Sequence, residues 1–142
     1  MMRACLALML ALVLAVPARA ATDIQPVTSP GGIEAWLVEE PSIPFTALEI
    51  RFRGGASLDR EGKRGAVNLM MALLEEGSGD MDARAFAEAT ESLAAKFSYD
   101  ANSDSVSVSA RFLTENRDEA VGLLRQSMID PTFPEDAVER VR

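Results

Sequence analysis

Carboxylates, hydroxyls and thioethers are the groups this sequence offers for chemistry, because it contains no histidine and a single cysteine, Cys5. Cys5 lies within residues 1 to 20, so the chain beyond them has neither imidazole nor thiol. That excludes disulfide frameworks, thiolate zinc sites, catalytic thiols and imidazole bases. Three carboxylate pairs remain: Glu39 with Glu40, Glu75 with Glu76, and Asp80 with Asp82. Adjacent residues of a helix point about 100° apart, so Glu75 and Glu76 do not face each other as an acid/base dyad must. They read as solvated side chains where a helix ends, a position at which the macrodipole disfavours negative charge. Ser98, Ser103, Ser105, Ser107 and Ser109 supply hydroxyls, with Lys96 as the nearby amine. A serine nucleophile needs a base within hydrogen-bond reach, and the run reads instead as the wet face of a strand. Met70, Met71 and Met81 read as core filler, since copper-site methionines act beside histidine or cysteine.

The elements that position these groups follow from periodicity. Ile33 to Val38 and Thr46 to Arg53 are strand-like, the second with Leu48, Ile50 and Phe52 alternating against Glu49, Arg51 and Arg53. Trp36 is expected to be buried or to line a groove. The loop GGASLDREGKR, Gly54 to Arg64, carries neither a Gly-Lys-Ser/Thr sequence nor Gly-x-Gly-x-x-Gly, so its glycines are not a phosphate cradle. A helix runs from Gly65 to about Glu76, apolar on nearly every side except at Asn68, and such a helix requires burial on most faces. Asp82 is placed to cap a second helix with Phe86, Ala89, Leu93 and Ala94 at helical spacing. Ser103 to Phe112 alternates Val106, Val108, Ala110 and Phe112 against serines and Arg111, the pattern of a half-buried antiparallel strand. Thr114 is placed to cap a third helix bearing Ala120, Val121, Leu124 and Met128 and ending before Pro131. The order strand, strand, helix, helix, strand, helix predicts an α+β fold, an antiparallel sheet with helices packed on one face.

Residues 1 to 20 have an early arginine, an apolar run from Cys5 to Val16 and a small-x-small pattern at Ala18-Arg19-Ala20, which read as a secretory signal peptide. The run is shorter than the roughly 20 residues of a spanning helix. Export to a bacterial periplasm and no membrane attachment after cleavage are expected. Residues 21 to 32, rich in Pro, Gly, Ser and Thr, form a lead-in. A formal net charge of −8, made more negative by loss of Arg3 and Arg19, disfavours nucleic acid as a partner. The chain stops at Arg142 inside a helix-like segment opened by Pro134, so it reads as a fragment.

Together, a strand ending in RGGASLDREGKRG, a helix opening at Gly65, the following Gly77-Ser78, a serine-rich strand and PTFPEDAVERVR resemble a known pattern. It is that of the N-terminal portion of the insulinase/pitrilysin metallopeptidases, the inverzincins, in the short-subunit form related to mitochondrial processing peptidase. The resemblance spans residues 33 to 142. It implies a mitochondrial-processing-peptidase-like domain, with Gly55-Ala56-Ser57-Leu58-Asp59 as the loop of type G-S-x-x-E/D. The motif H-x-x-E-H falls on Asn68, Met71 and Ala72. In active members the two histidines bind zinc and the glutamate activates the bound water, with a third ligand roughly 75 residues further on, past Arg142. An amide, a thioether and a methyl group do none of this.

The resemblance therefore implies a non-catalytic homologue, inactive alone, with no metal or other cofactor of its own. Its role would be that of a heterodimer subunit that completes a substrate chamber and helps bind unfolded peptide, the zinc being held by a motif-bearing partner. A scaffold or peptide-binding protein without a peptidase partner is the alternative. By the same resemblance Ser98 and Tyr99 lie on the edge that contacts extended peptide.

Overall fold

The computed structural model describes residues 22–142, which fall into two compact units divided between Ser42 and Ile43. The signal-peptide reading lies outside the described residues. In the first unit β1 (Gln25–Thr28) and β2 (Glu34–Leu37) form an antiparallel hairpin. Its turn is closed by Ser29, whose hydroxyl accepts from the Ile33 N–H at 3.0 Å. The lead-in thus contributes a strand that its Pro and Ser content had concealed. Trp36, expected to be buried or in a groove, is 85% exposed on β2.

In the second unit β3 (Phe45–Arg53) is followed by a short 3-10 turn at Ala56–Leu58 and by α1 (Ala66–Leu73). A small hairpin of β4 (Gly77–Ser78) and β5 (Met81–Asp82) leads into α2 (Ala83–Ser92). Next come β6 (Lys96–Ala101), β7 (Ser105–Leu113), α3 (Arg117–Ile129) and α4 (Glu135–Val141). The main sheet is antiparallel in the order β3-β7-β6. Its period-two alternation sorts the faces. Leu48, Ile50, Phe97, Tyr99, Val106, Val108, Ala110 and Phe112 meet the helices, while Glu49, Arg51, Lys96, Ser98, Asp100, Ser107, Ser109 and Arg111 occupy the opposite face. The α+β fold with helices on one sheet face is therefore observed.

The core joins Met71 and Leu74 at the α1 end, Phe86 of α2, Phe97, Val108, Ala110 and Phe112 of the sheet, and Ala120, Leu123 and Leu124 of α3. Phe112 is 1% exposed, and the Phe86 and Phe97 rings meet at 6.3 Å between centroids. Asp82 caps α2 as expected, accepting from the Ala85 N–H at 2.8 Å. Other local expectations change. β6 adds a strand to the expected order, and α1 ends at Leu73 rather than near Glu76. Thr114 opens a 3-10 turn, Thr114–Asn116, and makes no capping hydrogen bond. Val121 is 40% exposed while Leu123 is buried, so the apolar stripe of α3 is rotated toward Leu123. Among the described residues no helix is long and apolar enough to cross a membrane.

Candidate functional site

The helix that carries Asn68, Met71 and Ala72 is held at both ends, by the loop before it and by α4 after it. Before it, the loop after β3 is laced to the β6–β7 turn: the N–H groups of Gly54, Ala56 and Ser57 donate to the carbonyls of Asp104, Asn102 and Ser103. A Cβ on Gly55 would collide with the Asn102 carbonyl oxygen, so this approach requires glycine. Asp59 then reaches forward to the helix. Its Oδ2 accepts from the Gly65 N–H at 2.6 Å and its Oδ1 from the Val67 N–H at 3.0 Å, satisfying donors that a helix start leaves open. The acidic position of the loop motif is thus a remote helix cap.

At the other end, the Gly77 carbonyl accepts from the Thr132 N–H at 3.2 Å, and the Gly79 N–H donates to Asp130 at 2.9 Å. Arg140 of α4 forks onto the Glu76 carboxylate, with Nη2 to Oε2 at 2.9 Å. These contacts hold α4 beside α1. Glu76 is therefore not merely solvated, as the sequence suggested, but four-fifths buried in an ion pair.

The three motif positions do not share one environment. Asn68 and Ala72 are exposed, whereas Met71 is 3% exposed and belongs to the core. The expectation that α1 is covered on most faces is corrected: Asn68, Met70 and Ala72 lie open among the described residues. Glu75 continues the open stripe at helical spacing and is exposed, as its place at the helix end predicts. Partial burial raises the pKa of its carboxyl, and the neighbouring Glu76 charge adds to the rise. An amide, a buried thioether and a methyl group are not a zinc donor set, and no group of three or more His, Cys, Asp or Glu side chains among the described residues is placed to hold a metal ion. The family's zinc does not fit these residues.

Ser98 and Tyr99 sit on β6, against which α1 packs, so the structure brings the two predicted regions together. Their side chains go to opposite faces. Ser98 Oγ donates to Asp100 Oδ2 at 3.1 Å, while Tyr99 turns toward the helices and its hydroxyl lies 2.5 Å from Ser127 Oγ. Ser127 uses its own proton on the Leu124 carbonyl at 2.8 Å, so Tyr99 is the donor. Burial pushes the Tyr99 phenol up to about 12, against the lowering effect of Ser127, and the Glu75 charge raises it further.

Similarity to known proteins follows the same geometry. The family model for insulinase, peptidase family M16, matches residues 35–142. The chain is 30% identical over 104 residues to the non-peptidase homolog YmxG of Helicobacter pylori, covering 73% of this chain and 24% of that protein. The crystal structure of a peptidase M16 inactive domain from Pseudomonas fluorescens matches with a TM-score of 0.77 and 30% identity, over 84% of this chain and 29% of that one. A protease structure from Helicobacter pylori shares the fold, with a TM-score of 0.69 at 15% identity over 85% and 29% of the two chains. The chain spans about a quarter of the length of the curated relative it matches. Because the family model matches residues 35–142, most of its length, the chain belongs to the insulinase family of peptidases, family M16.

Proposed function

We propose that the protein is a non-catalytic subunit of a heterodimeric zinc metallopeptidase, exported to the periplasm, where it completes the substrate chamber and helps bind unfolded peptides. The zinc belongs to a partner that carries His-x-x-Glu-His. One observation carries this reading: the helix on which the resemblance places the zinc motif presents Asn68, Met71 and Ala72 at its three positions, with Met71 turned into the core. The side chains that would bind a metal and activate its water are replaced, while Asp59 still caps the helix and β6 packs against it. The names of the relatives, a non-peptidase homolog and an inactive domain, support the non-catalytic part of this reading.

The test is purification of the full-length protein from its source organism, followed by reconstitution. Alone it is expected to bind no stoichiometric zinc and to cleave no unfolded peptide. With a motif-bearing partner it is expected to co-purify and to raise that partner's turnover. Zinc-dependent cleavage by the isolated protein, or a partner fully active without it, overturns the proposal.

A further inference from the structure

β6 is the edge of the main sheet, hydrogen-bonded only to β7 among the described residues. Which of its backbone groups face outward follows from the turn. The Asn102 N–H donates to the Ser105 carbonyl at 2.8 Å, which makes Asn102 and Ser105 a hydrogen-bonded pair. From there the register runs unbroken to Lys96 opposite Arg111. Antiparallel pairs alternate, so Asp100, Ser98 and Lys96 spend their backbone groups on β7. Phe97, Tyr99 and Ala101 point theirs away from it.

A strand added along this edge therefore bonds to Phe97, Tyr99 and Ala101. Its residues opposite Lys96, Ser98 and Asp100 form the non-bonded pairs, in which side chains stand closest. Those positions are charged unequally. Lys96 lies directly opposite Arg111, a like-charge juxtaposition, and forms no ion pair among the described residues. Arg111 is stacked over the Phe45 ring at 5.5 Å. At the other end of the edge Asp100 is exposed and receives only the Ser98 hydroxyl. The edge has a positive end and a negative end, four residues apart, both open to an incoming chain.

We propose that this edge selects extended peptide by charge order: an antiparallel segment with a basic residue opposite Asp100 and, four residues later, an acidic residue opposite Lys96. Antiparallel addition continues the pairing of the whole sheet. The inference rests on the peptide-binding role proposed above, and it assigns that role a sequence preference set by Lys96 and Asp100.

The test uses the full-length protein and fluorescence anisotropy with two labelled peptides of identical composition, one carrying Lys-x-x-x-Glu and the other Glu-x-x-x-Lys. The first is expected to bind roughly tenfold tighter, from two opposite-charge pairs replacing two like-charge pairs. A protein carrying both Lys96→Glu and Asp100→Lys, two exposed changes, is expected to reverse the preference. Peptides N-methylated at alternate residues, on the side facing β6, are expected to lose binding to both proteins. Equal binding of the two peptides, or tighter binding of Glu-x-x-x-Lys, with N-methylation still abolishing it, overturns the charge-order proposal and leaves edge binding standing. No binding of either peptide, or binding indifferent to N-methylation, overturns edge binding and the charge order with it.

Discussion

At the scale of single residues, the degenerate motif is chemically uneven, and that unevenness predicts how it responds to repair. Asn68→His and Ala72→His place imidazoles on an exposed helix face, so each should change stability by no more than about 0.5 kcal/mol. Met71→Glu puts a carboxylate where the side chain is 3% exposed and surrounded by core, without a cation to meet it. It should cost about 3 kcal/mol or more. Chemical denaturation of the three single variants checks this contrast, and equal losses at all three positions would contradict it. Four positions beyond Met71, Glu75 offers a second test through its raised pKa. A carboxyl whose folded pKa exceeds its unfolded value holds its proton more tightly when folded, so stability falls as pH rises through that interval. Glu75→Gln removes the penalty. It should raise the melting midpoint at pH 7, and the gain should vanish below the ordinary glutamate range.

At the scale of elements, Asp59 shows how a loop residue builds a helix from a distance. It contacts two N–H groups of the α1 start across six to eight residues of chain. No other capping hydrogen bond is made by a side chain at Gly65. Asp59→Ala should therefore cost about 1 kcal/mol, within the range of lost caps, and Asp59→Asn should recover part of it. Hydrogen exchange at Gly65 and Val67 locates the effect: uniform acceleration over the whole chain, with no excess at these amides, would refute it. The same scale explains what could be read in advance. β7 was legible because Val106, Val108, Ala110 and Phe112 alternate against serines and Arg111 over a long run. β6 alternates too, with Phe97, Tyr99 and Ala101 facing the core, but over six residues directly after a helix. In β1 Pro26 disguised a strand, since proline reads as a loop signal although a strand edge tolerates it. The open stripe on α1 had no signal at all. Composition says how apolar a helix is, and only packing decides which of its apolar faces is covered.

For the whole molecule, charge is the quantity that separates this protein from a well-balanced one. Its formal net charge is −8, with 22 acidic residues against 14 basic ones. The ion pairs of the described residues do little to offset that excess. In Arg51–Glu49, Arg84–Glu88 and Arg117–Asp118 both partners are more than half exposed, and pairs of that kind are worth about 0 to 1 kcal/mol each. Only Arg140–Glu76 joins distant elements with a largely buried carboxylate. Salt screens exposed attractive pairs and general repulsion alike, so the sign of its effect depends on which is larger. Here the pairs are few and weak, whereas the unpaired acidic excess acts over the entire surface and opposes compactness. Raising ionic strength from about 0.02 M to about 0.3 M, which shortens the screening length several-fold, should therefore raise the melting midpoint. With no histidine to titrate, the charge hardly changes between pH 7 and 6; lowering pH from 6 toward 5, where carboxylates begin to take up protons but still above the sequence pI of about 4.6, should act in the same direction. A midpoint that falls with added salt would mean that the Arg140–Glu76 tie between α4 and the end of α1 outweighs the repulsion. The variant Arg140→Ala would then reverse the salt dependence, leaving the repulsion alone to be screened.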